Sequence, residues 1–253
     1  MFEYLHAATL LHDDLVDGAT LRRGAPVAHS IWGNSTAVLV GDFLLARALS
    51  ISTETRRPKI IEVISEVTEE MSQGEIHQLM RKGSLDISES EYFEIITRKT
   101  AILIQGACRV GAILARAQNK SEKALSKYGL NLGIAFQMID DLLDYTADPA
   151  VIGKETGADL KEGKLTLPII YTLSAAKSSD QARLEDIIQK RNFSKDEFQI
   201  FVKMLNTYGG IAYTKRMALE RIEAAKAALS VFQTSETKTL LCDIADFAVH
   251  RNM

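Results

Sequence analysis

Three aspartates, Asp13, Asp14 and Asp17, stand together in Leu11-His-Asp-Asp-Leu-Val-Asp17. On a helix, positions four apart share a face, so Asp13 and Asp17 point the same way one turn apart, with Asp14 rotated by about 100°. Carboxylates packed into one turn repel each other, and Asp is a poor residue for a helix interior. A cation would offset both costs. Few hard oxygen ligands, with room left for water, suit Mg²⁺ held jointly with substrate phosphates. Taken alone, the cluster fits a solvated polar helix end equally well. It is not alone: Asp140, Asp141 and Asp144 repeat the spacing in Ile139-Asp-Asp-Leu-Leu-Asp144, again after an apolar helical run. Two such helix ends facing each other would form a carboxylate-lined mouth for several divalent ions. Such a mouth suits a ligand rich in negative charge, such as a diphosphate.

Basic residues sit near these motifs. Arg22 and Arg23 follow the first one, Lys99 and Thr100 lie on an otherwise apolar helix, and Lys154 and Lys164 flank a glycine-rich loop after the second. Arginine forks and lysine point charges both grip phosphate oxygens. Any one of these would ordinarily be an exposed surface charge; clustering beside the carboxylates makes the case.

Helices must position these groups. Apolar periodicity predicts them near 1–17, 35–51, 57–82, 89–118, 121–146, 164–177, 180–190, 195–206, 211–232 and 235–250. Ser88 with Glu91 reads as a capping box, and Ser121 as a plain N-cap. Irregular stretches fall at 18–34 and 147–163, and no alternating run predicts a sheet. The expectation is one all-α domain over residues 1–253. At 253 residues with 46% hydrophobic and 25% charged residues, the chain can bury a sizeable core. A net charge of −3 argues against a global grip on nucleic acid. Asp42 and Arg47 interrupt the most apolar stretch, no secretory leader is legible, and Cys108 and Cys242 read as free thiols. The expected location is the cytoplasm. His12 reads as a packed, hydrogen-bonded residue rather than a ligand.

Taken together, His12-Asp-Asp-Leu-Val-Asp17, Arg22-Arg-Gly-Ala-Pro26, Arg98-Lys-Thr100, Phe136-Gln-Met-Ile-Asp-Asp-Leu-Leu-Asp144 and Gly153-Lys154 through Gly163-Lys164 resemble the trans-prenyltransferases. These are the polyprenyl diphosphate synthases of the isoprenoid synthase fold. The resemblance implies an orthogonal helix bundle around a deep central cavity, a homodimer, and condensation of isopentenyl diphosphate with an allylic diphosphate. It implies three Mg²⁺ per site: Asp13 and Asp17 on two of them with Asp14 in support, and Asp140 on the third with Asp141 and Asp144 behind it. It assigns Arg22, Lys99, Lys154 and Lys164 to the allylic diphosphate and Arg23 to isopentenyl diphosphate. Thr100 and Gln137 would line the reaction centre.

Product length would depend on what lies beneath Asp13. Ala8 and Thr9, five and four residues earlier, are both small and leave room for a growing tail, which resembles the long-chain, octaprenyl- or solanesyl-like branch. The family's Gly-Lys-x-x-Arg-Pro element has no counterpart ahead of Asp13, so the chain reads as N-terminally shortened. This leaves a second reading, a non-catalytic or weakly active subunit of a heteromeric synthase. A third, a terpene cyclase, is opposed by the form of the second motif and by the Arg22-Arg23 pair.

Overall fold

Asn119–Thr146 is a 28-residue helix, about 42 Å long, and the other elements pack around it. Its buried residues Tyr128, Leu132, Ala135, Met138, Ile139, Leu142 and Leu143 lie on several sides, so it reads as a core helix rather than a surface one. The computed structural model describes residues 1–22, 24–146, 157–190 and 192–250. In chain order the helices are α1 (Phe2–Val16), α2 (Ala28–Trp32), α3 (Asn34–Glu54), α4 (Pro58–Met80), α5 (Glu89–Ile96), α6 (Ile102–Leu114), α7 (Asn119–Thr146), α8 (Ala158–Glu162), α9 (Leu167–Ala175), α10 (Ser178–Lys190), α11 (Lys195–Thr207), α12 (Gly210–Ala228) and α13 (Glu236–His250). The all-α expectation is met.

Three apolar clusters hold the elements together. One surrounds α7, with Tyr92 and Ile96 from α5, Ile222 and Ala225 from α12, and Ala245 and Val249 from α13. A second joins α8 to α11 through Leu160, Ile169, Leu184, Ile188 and Phe201. A third, with Leu5, Ala48, Ile64, Val67 and Val110, fastens α1 to α3, α4 and α6.

Four local features differ from the sequence expectation. The single helix expected over 89–118 is interrupted by a π-helical turn at Thr97–Ala101. A Cβ at Gly74 of α4 would lie 2.5 Å from the Lys99 backbone nitrogen, and one at Gly133 of α7 2.5 Å from the Ala101 Cα. Two glycines therefore let neighbouring helices close on this turn from two directions. The irregular stretch at 18–34 contains α2 and a minimal hairpin, Leu21–Arg22 paired antiparallel with Ala25–Pro26. The stretch expected to be irregular at 147–163 contains α8, and the helix expected at 164–177 is the shorter α9. Ser121 is not an N-cap, because α7 already starts at Asn119. The Ser88–Glu91 capping box is present as expected.

Helix α3 is long and apolar enough to cross a membrane by length and composition alone, although it carries Asp42 and Arg47. Much of its apolar surface is exposed, with Leu39 at 66% and Phe43 at 64%. Cys108 and Cys242 are both free.

Candidate active site

The first carboxylate motif ends α1. The Asp17 backbone N–H donates to the Asp13 carbonyl at 2.8 Å, closing the last turn and setting the two side chains one above the other. Asp14 faces inward and is buried. The hairpin returns Arg22 to it: Nε donates to both Asp14 oxygens at 2.8 and 3.0 Å, and Nη2 stands 2.8 Å from Oδ1. Arg22 is thus paired with Asp14 through Nε and Nη2.

Asp13 is different. Its carboxylate accepts no hydrogen bond from the described residues. Burial pushes it up to about 6; Glu75 and Asp17 add to the rise, against the pull of Lys99 and Lys164. Burial acts on Asp17 in the same direction, but Lys164, Lys99 and Lys82 outweigh it and hold Asp17 below the usual carboxylate range. Lys164 Nζ donates to Asp17 Oδ2 at 2.8 Å and Lys82 Nζ to Oδ1 at 3.3 Å.

The second motif lies near the end of α7. Asp140 is exposed. Asp141 is buried and accepts from Tyr92 Oη at 2.6 Å and Gln137 Nε2 at 2.7 Å. Burial nonetheless pushes it up to about 7. Asp144 accepts from the Ala158 and Asp159 backbone N–H groups at 3.0 and 3.1 Å, and so caps α8. Burial pushes it up to about 6. Asp159 is driven well above the carboxylate range by burial and by Asp144 and Asp141.

Helix α8 links the motifs. Its N-terminus rests on Asp144, while Lys164, just past its C-terminus, reaches Asp17. Burial opposes the Lys164 charge, but Glu162, Asp159 and Asp17 together hold it firmly protonated. The π-helical turn supplies the remaining pieces. Lys99 pairs with Glu75 and donates to Gln78 Oε1 at 2.7 Å, and Thr100 donates to Gln137 Oε1 at 2.9 Å. Thr100, on this turn, thus begins a hydrogen-bonded chain that runs through Gln137 and Asp141 to Tyr92, and such turns recur at functional sites.

Asp17, Lys99 and Lys164 all lie close enough to act on the Asp13 charge, whereas Arg23 and Lys154 lie outside the described residues. Ala8 is buried; Thr9 is half-buried and donates to the His6 carbonyl at 2.9 Å. His12 packs over Gly41, with Nε2 3.2 Å from the Val38 carbonyl oxygen. Glu75, Gln78, Lys82, Tyr92 and Asp159 were not singled out from sequence. Gly74, a glycine inside a helical run, was a readable sign of close approach beside Glu75; Lys82 carried no such sign.

Among the described residues no three His, Cys, Asp or Glu side chains converge into a self-sufficient metal cage. The donor set instead fits a hard cation that takes its remaining ligands from a substrate. Desolvated Asp13 stands beside Asp17 and the firmly charged Lys164, and a metal-bound diphosphate would satisfy carboxylates and lysine alike.

A family model described as Polyprenyl synthetase matches residues 1–205. The chain belongs to the polyprenyl synthetase family. It is 38% identical over 252 residues to the octaprenyl diphosphate synthase of Escherichia coli, spanning 100% of this chain and 78% of that protein. It is 36% identical over 254 residues to the geranylgeranyl diphosphate synthase of Methanosarcina mazei, spanning 98% and 76%. Among solved structures, a polyprenyl synthase of Caulobacter crescentus, complexed with calcium and isoprenyl diphosphate, matches with a TM-score of 0.94 and 40% identity over 100% of this chain and 77% of that one. As a polyprenyl synthetase, the chain is a trans-prenyltransferase that condenses isopentenyl diphosphate with an allylic diphosphate.

Proposed function

We propose that the two aspartate motifs form one divalent-metal and diphosphate site, and that this single-domain chain uses it to elongate an allylic diphosphate into a long polyprenyl diphosphate. The observation that carries the reading is the bridge made by α8, which rests on Asp144 and delivers Lys164 to Asp17. Asp13 and Asp17 are the ligands of the first motif, with Asp14 held in support by Arg22. Asp140, exposed at the second motif, is its ligand, with Asp141 and Asp144 behind it, each fixed by its own hydrogen bonds. Mg²⁺ bound there, three ions in all, supplies Lewis-acid stabilisation of the departing diphosphate.

The chain's own groups do the rest. Lys99 and Lys164 turn from their carboxylate partners to phosphate oxygens, joined by Arg22 through Nη1, which makes no bond to Asp14, and by Arg23 and Lys154, with Arg23 on the isopentenyl diphosphate. Such charge-assisted bonds stabilise negative charge as the allylic C–O bond breaks. Thr100 and Gln137, fixed to each other at 2.9 Å, border the allylic cation. The isopentenyl double bond attacks that cation, and the proton then lost from the adduct goes to the released diphosphate.

The small Ala8 and Thr9 favour a long product. Relatives at similar identity are named for octaprenyl and geranylgeranyl products, so overall likeness does not decide length. Exposed Leu39 and Phe43 on α3 suit burial against a second copy of the chain, as a homodimer. Two free cysteines fit action in the reducing cytoplasm.

Calorimetric titration with farnesyl diphosphate tests the site. Binding should require Mg²⁺ and be lost in Asp13→Ala. Equal binding with and without Mg²⁺ would refute the reading.

A further inference from the structure

Lys82 belongs to none of the sequence motifs, yet it reaches the mouth. It lies in the turn after α4, where the Gly83 N–H donates to the Gly163 carbonyl at 2.8 Å. Gly163 immediately precedes Lys164, so one backbone bond delivers two lysines from distant segments to a single carboxylate. Lys164 takes Asp17 Oδ2 at 2.8 Å and Lys82 takes Oδ1 at 3.3 Å. Lys164 also pairs with Glu162 at 2.5 Å. Two carboxylates and two ammoniums thus balance as a neutral quartet. The Lys82 contact is the longer and its side chain remains 22% exposed, against 14% for Lys164. Lys82 is therefore the member most easily displaced.

We propose that Lys82 is a displaceable counter-ion of Asp17 that couples metal binding to diphosphate binding; the inference rests on the metal–diphosphate reading above. A divalent cation at Asp17 must evict the Lys82 ammonium from Oδ1. The evicted ammonium stays in the mouth on its four-carbon stem, with donors to offer. The neutral quartet becomes a cationic cluster, and a multiply charged anion then finds a second partner that it lacked before the metal arrived. Lys82 thus opposes metal binding alone and favours diphosphate binding once metal is present. By linkage, its removal should shrink the factor by which each ligand tightens the other. A lysine that merely tied the turn to Asp17 would not move the two affinities in opposite directions.

The test is calorimetry on the full chain with two probes, Mg²⁺ alone and inorganic diphosphate at low and at saturating Mg²⁺. Lys82→Met should bind Mg²⁺ alone about three- to tenfold more tightly, as expected for loss of a competing ion pair. It should bind inorganic diphosphate at saturating Mg²⁺ about tenfold more weakly, as expected for loss of a charge-assisted bond. Lys82→Arg should stay near wild type in both. Lys82→Gln repeats the measurement if the Met variant has lost helical content. Affinities that move together, or that do not move, in a folded variant overturn the coupling while leaving the site reading intact. Wild-type protein that binds neither probe overturns both.

Discussion

Arg22 grips Asp14 with two nitrogens, Nε reaching both carboxylate oxygens and Nη2 standing 2.8 Å from Oδ1. This pair divides the first motif. Asp14 is neutralised by the protein, while Asp13 and Asp17 remain for ligands. It also anchors the hairpin to α1. Arg22→Ala should cost about 1–3 kcal/mol of stability, since a buried carboxylate loses its partner. The lower end is favoured because the Arg22 side chain is 33% exposed and screened by solvent. Urea unfolding at neutral pH measures this, and an unchanged midpoint would show that the hairpin is held by other contacts.

Metal dependence gives the second prediction. Asp13→Ala and Asp140→Ala should each lower turnover by roughly two to three orders of magnitude, because on the proposed reading each removes a direct metal ligand. Neither should cost much stability, since relief of carboxylate repulsion offsets the lost contacts. Near-normal steady-state turnover in either variant would remove that aspartate from the site.

The third prediction concerns pH. Burial raises Asp13 from 3.8 to about 6, so its charge destabilises the metal-free fold at neutral pH. The folded state holds the proton more tightly than the unfolded state, and the penalty fades as pH falls from about 6 toward 4. Asp13→Asn mimics the protonated form. In EDTA at about pH 7.5 it should unfold at a higher urea concentration than wild type, and the gap should close near pH 4. A less stable Asn variant at neutral pH would mean that the Asp13 charge is compensated. For wild type, Mg²⁺ affinity should drop as pH falls through 6–7, where Asp13, Asp144 and Asp141 take up protons.

Product length can be probed at Ala8, which is 2% exposed. Ala8→Phe should shorten the product by several isoprene units, with the first condensation retained. Overpacking should cost about 1–3 kcal/mol of stability. Chromatographic sizing decides the matter: unchanged lengths in a folded variant would put the cavity floor elsewhere.

Much of this site was legible because its signals are local. Two Asp-Asp-x-x-Asp spacings, their apolar helices and the Ser88–Glu91 capping box can all be read within a turn or two of chain. The π-helical turn at Thr97–Ala101 was not legible, since one extra residue barely disturbs a 3.6-residue period and the helices that close on it, at Gly74 and Gly133, come from elsewhere in the chain. The hairpin at 21–26 was too short to show alternation. Lys82 and Tyr92 reach Asp17 and Asp141 only through tertiary packing, and no spacing in the sequence announces either contact. Arg22 stood out in the sequence as a cation beside the first motif; its bond to Asp14 depends on a chain reversal that the sequence did not reveal.

The most direct measurement is condensation itself. Purified protein is incubated with farnesyl diphosphate and labelled isopentenyl diphosphate, with and without Mg²⁺, and the products are sized by chromatography. The account predicts label in a ladder of prenyl diphosphates that extends well beyond geranylgeranyl, requires Mg²⁺, and collapses in Asp13→Ala. No incorporation by the folded chain, or incorporation that survives both EDTA and Asp13→Ala, would contradict it.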